Sequence, residues 1–201
     1  MTAAASQGPS ASVQRTAGCP GITARRPRWL AVAAAAAGLW ACGLAQAAFP
    51  SAYNPLVVQP QVVDGRQEFD LRPAQAQARQ SGRRLYVYLG ASDCSYCRKY
   101  EAFLTQNAQA LVPQFAAHHY LVVDLRSALS ITAPQLVLRT EQHQLPYADF
   151  QRAIGDARAR LLVYPSVWVM DAQGKPLMQM PAGTGTFQTV AEQLEILRLE
   201  E

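Results

Sequence analysis

Leu85-Tyr86-Val87-Tyr88-Leu89-Gly90-Ala91-Ser92-Asp93-Cys94-Ser95-Tyr96-Cys97-Arg98-Lys99 joins an aromatic and aliphatic run to two cysteines separated by two residues. Five apolar residues closed by a glycine read as a buried strand. Gly90-Ala91-Ser92-Asp93 then carries the chain into a helix that opens at Cys94. The start of a helix presents unpaired amides and the positive end of a dipole, so it favours a negative charge. A thiolate is such a charge, and it is the reactive form of cysteine. Cys97 stands one turn further on the same face, where it can close a disulfide with Cys94 or attack a mixed disulfide formed there. The spacing gives Cys94 the attack and Cys97 the resolution. Arg98 and Lys99 add positive charge near the helix start, and Asp93 adds a negative one.

Working outward, Tyr100, Phe103, Leu104 and Leu111 continue at helical spacing until Pro113 interrupts it. His119 to Asp124 reads as a second buried strand. Upstream, a helix is expected from about Leu71 to Ser81, with Asp70 as N-cap, Pro73 in the first turn and Gly82 as the stop. Near the end, Ser166 to Met170 and Lys175 to Met180 flank Asp171-Ala172-Gln173-Gly174 as a hairpin. A last helix follows Gly185, its face set by Phe187, Val190, Leu194 and Leu197. Residues 127–160 lack strand character, and Pro134, Pro146 and Gly155 divide them into short helices. Residues 48–70 form an extended, proline-bearing arm, with Leu56 to Val58 and Val62-Val63 as possible short strands. The order of elements suggests an α/β fold: a mixed sheet with helices on both faces.

The 201 residues suit one medium domain plus an appendage, and 50% hydrophobic against 16% charged residues is an ordinary globular balance. The net charge of +4 comes from Arg15, Arg25, Arg26 and Arg28, since no acid precedes residue 48 and the remainder carries fourteen basic and fourteen acidic side chains. No basic block is left to track a phosphate backbone, which sets nucleic acid aside. Residues 1–47 have the layout of an export signal: Arg25-Arg26-Pro27-Arg28, an apolar run from Trp29 to about Leu44, then the small residues of Ala45-Gln46-Ala47. Cleavage after Ala47 starts the mature chain at Ala48. Leu39-Trp40-Ala41-Cys42 also resembles a lipoprotein box, the run is long enough to anchor uncleaved, and Arg25-Arg26 loosely resembles a twin-arginine signal. All of these readings export the domain. Cys19 and Cys42 lie in the leader, so the mature chain keeps only Cys94 and Cys97, too close together to stabilise the fold by closing a long loop.

Residues 85–99 resemble the active-site segment of the thioredoxin superfamily. The tyrosine before the second cysteine is similar to that of bacterial periplasmic members, including disulfide isomerases and thioredoxins linked to sulfur oxidation or cytochrome c maturation. Tyr164-Pro165-Ser166-Val167-Trp168-Val169-Met170-Asp171-Ala172-Gln173-Gly174-Lys175 is similar to the family's cis-proline strand and following hairpin. The resemblance implies a thioredoxin-like fold over 71–201, with 127–160 as an insertion before the cis-proline strand. It also implies that Pro165 is cis and faces the cysteines, and that Tyr164 and Pro165 bind substrate. Protein disulfides or dithiols are the implied partners, with a membrane electron-transfer protein, a periplasmic location and no cofactor. Residues 48–70 are too short for a separate dimerisation domain, which suggests a monomer. Two departures blur the redox direction. Tyr88 stands where many thioredoxins bury an acid, and Asp93 stands where tryptophan is usual.

Other readings of the same residues stay open. Paired cysteines also occur in zinc sites, for which His118, His119 and His143 are the available further ligands. A thioredoxin-fold copper chaperone would recruit Met178 and Met180 with His118 or His143. Pro165 also fits a plain edge-strand proline. A redox-silent interaction module, with the pair vestigial, is the reading that leaves chemistry out.

Overall fold

The computed structural model describes residues 48–155, 161–179 and 189–198. After a short 3-10 turn at Ser51–Tyr53 come β1 (Leu56–Val58), β2 (Gln61–Val63), β3 (Arg66–Asp70) and α1 (Arg72–Ser81). β4 (Arg84–Ala91) leads to α2 (Ser95–Gln106), α3 (Ala108–Ala117) and β5 (Tyr120–Ser127). The chain continues through β6 (Leu136–Arg139), β7 (Gln144–Pro146), α4 (Tyr147–Ala153), β8 (Ser166–Met170), β9 (Pro176–Gln179) and α5 (Val190–Leu197).

The main sheet has five strands in the order β1-β5-β4-β8-β9. β1 and β4 run parallel to β5, and β8 and β9 add antiparallel pairs. Because side chains alternate across a strand, the apolar run of β4 feeds two cores. Leu85, Val87 and Leu89 join α1, α4 and Trp168 on one face. Tyr86 and Tyr88 join Tyr100 and Leu104 of α2, Leu111 and Phe115 of α3, and Leu197 of α5 on the other. This is the expected mixed sheet with helices on both faces.

The arm is more than a lead-in. β1 forms the edge of the main sheet through Leu56 opposite Val123, and β2 and β3 begin a second sheet of order β2-β3-β6-β7. Residues 127–160 correspondingly depart from the expected row of short helices. They contribute β6 and β7, and helix appears only in the 3-10 turn Ala133–Gln135 and in α4, while 156–160 lie outside the described residues. β6 pairs in parallel with β3, Phe69 opposite Leu138, and buries Phe69, Leu136 and Leu138 completely against the main sheet. Strands this short are held by a partner distant in sequence and by burial, neither of which local pattern reveals.

Two smaller expectations also change. Asp70 ends β3 instead of capping α1; Leu71 is the N-cap, and Asp70 accepts the Arg72 amide (3.1 Å) and its guanidinium (2.7 Å). The helix after the cysteines breaks at Asn107, whose side chain donates to the Phe103 carbonyl (2.8 Å), and Pro113 lies inside the new helix. The stop at Gly82 (φ 62°) and the 171–174 turn agree with expectation. Gly174 (φ 88°) admits the close approach of buried Gln75, whose Nε2 would lie 2.5 Å from an added Cβ.

Candidate active site

Strand β4 ends at Ala91, a turn closes through the Cys94 amide to the Ala91 carbonyl (3.1 Å), and α2 begins. Cys94 is the N-cap of α2, and its sulfur accepts the Cys97 amide at 3.0 Å. An amide of the first helical turn, left over by the helix, therefore points at the Cys94 sulfur, an arrangement that favours negative charge there. Cys94 and Cys97 are joined as a disulfide with their Cα atoms 5.2 Å apart. Both cysteines are buried, Cys94 at 2% exposed and Cys97 at 0%.

Of the other two sequence-expected residues, Tyr164 has an atom beside the pair. The Tyr164–Pro165 peptide bond is cis, and the Tyr164 carbonyl oxygen lies 3.7 Å from Cys94 Sγ. The contact is made by the Tyr164 backbone. Its side chain turns away, donating its hydroxyl to Ser127 Oγ at 3.0 Å, and Ser127 in turn donates to Gln67 at 2.9 Å. Burial pushes the Tyr164 phenol up to about 12, so it stays a neutral donor. Asp93 is tied down as well: its carboxylate accepts the Leu129 amide at 2.9 Å, pinning the loop after β5 beside the cysteines.

Behind the pair lies a polar group that sequence reading missed. Tyr88 donates to Glu101 at 2.7 Å, and Asp124 stands opposite Tyr88 in the strand register. Burial raises the pKa of Glu101 and of Asp124 above their ordinary values, and it drives the Tyr88 phenol well above its own. Gly90 makes room for this tyrosine, since an added Cβ would lie 2.7 Å from Tyr88 Cε1. The available signals were an acid four residues after Cys97, on the same helix face, and an acid inside the apolar run of β5.

Among the described residues no three His, Cys, Asp or Glu side chains gather to hold a metal. His143 lies with its ring edge toward Phe150, at 6.4 Å, while Met180 falls outside the described residues. No described helix is long and apolar enough to cross a membrane.

A sequence model described as a thioredoxin-like domain matches residues 71–197. No curated protein matches the chain. Among solved structures, a thioredoxin-fold protein from Helicobacter pylori is 14% identical over 78% of this chain and 77% of its own, with a TM-score of 0.37. An exposed lipoprotein thioredoxin from Streptococcus pneumoniae is 14% identical over 71% and 96%, TM-score 0.33. The thioredoxin domain of a thiol-disulfide oxidoreductase from Bacteroides vulgatus is 17% identical over 51% and 73%, TM-score 0.28. The assignment follows from the sequence match, which spans the strand, the cysteine pair, the Tyr164–Pro165 bond and the final hairpin: the chain belongs to the thioredoxin-like domain family.

Proposed function

We propose that this domain is an exported thiol–disulfide oxidoreductase that reduces protein disulfides in the periplasm, working as a monomer. The supporting observation is the placement of Cys94 Sγ, which accepts the Cys97 amide at 3.0 Å and sits 3.7 Å from the Tyr164 carbonyl. In the reduced form, the Cys94 thiolate attacks one sulfur of a substrate disulfide. That S–S bond breaks, the other substrate sulfur leaves as a thiolate, and a mixed disulfide remains. The Cys97 thiolate then attacks Cys94 Sγ, releases the second substrate thiolate and forms the Cys94–Cys97 disulfide. Two electrons have passed to the substrate, whose thiolates take up two protons. A dithiol on a membrane electron-transfer partner restores the pair by the reverse exchange.

Tyr164 and Pro165 line the approach to Cys94, and the backbone edge beside them is suited to pair with an extended substrate segment. Export rests on the layout of residues 1–47. The test is reduction of insulin by the exported protein supplied with dithiol: catalysed precipitation is expected from the wild type and only the uncatalysed rate from Cys94→Ser. Equal rates for the two proteins overturn the proposal.

A further inference from the structure

Glu101 of α2 is 8% exposed and Asp124 of β5 is 0% exposed, and both belong to the face of the sheet that carries Tyr88. Among the described residues, the cation paired with this group is Arg126, which donates to Asp124 Oδ2 at 2.9 Å. Two buried carboxylates thus share one guanidinium, an arrangement that costs free energy unless more positive charge is supplied. Asp124 Oδ1 is buried with no hydrogen-bond partner among the described residues.

The chain segment facing these acids is Ala48-Phe49. The Phe49 amide donates to Asp124 Oδ2 at 3.3 Å, and the Ala48 amide donates to Glu101. Phe49 is itself fixed, 3% exposed, with its ring edge-on to Tyr53 and Tyr88 at 5.3 Å each. The nitrogen of Ala48 is therefore held at a buried acidic group. Independently, Ala45-Gln46-Ala47 marks the bond to this same nitrogen as the one a signal peptidase would cut.

We propose that Glu101 and Asp124 are a receptor for the α-ammonium group that cleavage of the Ala47–Ala48 bond creates. Hydrolysis adds one water: the C–N bond breaks, Ala47 leaves as a carboxylate, and the Ala48 nitrogen becomes an ammonium. An uncharged group with a single hydrogen becomes a cation with three donors, at the place where two buried acids have one guanidinium between them. Processing then does more than release the domain, because it completes the electrostatics behind the cysteine pair. The groups facing the ammonium are Tyr88 from β4, Glu101 from α2, and Asp124 with Arg126 from β5.

The inference rests on reading residues 1–47 as a cleaved leader, and one experiment separates the two. The full-length chain is expressed in an exporting bacterium, the exported form is purified, and its first residue is identified by mass spectrometry. The α-amino pKa is then read from the pH dependence of its carbamylation by cyanate. A start at Ala48, with a midpoint above the usual value of about 8, is the expected result, and Glu101→Gln or Asp124→Asn should each bring the midpoint down. A start at Ala48 with an ordinary midpoint, or with a raised one that neither variant moves, overturns the receptor and leaves the leader reading intact. A start elsewhere overturns both. The wild-type midpoint alone decides the matter should either variant fail to fold.

Discussion

Tyr88 donates its hydroxyl to Glu101 at 2.7 Å from the strand position that thioredoxins commonly fill with an acid. An acid does stand behind the cysteines: Glu101, one helical turn past Cys97, accepts from this tyrosine. Tyr88→Phe keeps the ring contact with Phe49 and removes only this bond, leaving a buried carboxylate short of a donor. A loss of about 1–3 kcal/mol is expected, read as a lower urea midpoint at unchanged slope.

Glu101 and Asp124 give the uncleaved chain a defined pH dependence. Burial raises both carboxyl pKa values in the folded state, so the folded chain holds protons that the unfolded chain has released. Their contribution to stability is complete below the ordinary carboxylate pKa of about 4 and is lost as the pH rises through the raised values. Urea midpoints of the full-length chain should fall across that window, and the Glu101→Gln, Asp124→Asn double variant should flatten the fall. A midpoint that rises over the same window contradicts the assignment.

On the proposed mechanism, removal of the Cys97 thiol should arrest exchange halfway. Cys97→Ser is expected to accumulate a covalent adduct on Cys94 when mixed with an oxidised protein substrate, visible as a dithiothreitol-sensitive mass increase. The Cys94→Ser protein should form none, because Cys97 is fully buried.

At Tyr164 the backbone faces the cysteine and the hydroxyl faces Ser127. Tyr164→Phe is therefore expected to cost about 0.5–1.5 kcal/mol of stability while leaving the insulin-reduction rate within a few-fold of wild type. A hundredfold loss of rate would reassign the hydroxyl to the chemistry.

The second sheet should melt with the first. Leu138 is fully buried against the main sheet, so Leu138→Ala is expected to cost about 2–5 kcal/mol. Fluorescence and circular dichroism should follow one shared transition; a separate early step would make β3, β6 and β7 an appendage.

The sequence made legible those parts whose partners lie close in the chain or whose burial is continuous. β4 and β5 are near-unbroken apolar runs, β8 and β9 flank a turn that carries its own glycine, and Cys94 stands where a strand must become a helix. β3 was hidden because Arg66-Gln67-Glu68-Phe69-Asp70 offers one apolar residue, and its reason to be a strand is Leu138, far along the chain. Glu101 and Asp124 were hidden for a related reason: whether an acid is buried depends on which other elements close over it.

The arm also orders events in time. Leu56 pairs with Val123 and Phe69 with Leu138, each strand running parallel to a partner made much later. A chain delivered from its N-terminus therefore presents β1 and β3 first and satisfies them last, after β5 and β6 have arrived. Contacts of such long reach slow folding. Until then the cysteine pair, with part of its surrounding core unassembled, is open to every thiol and disulfide it meets, so the two sulfurs are expected to react indiscriminately in the nascent chain and selectively only once the sheets have closed.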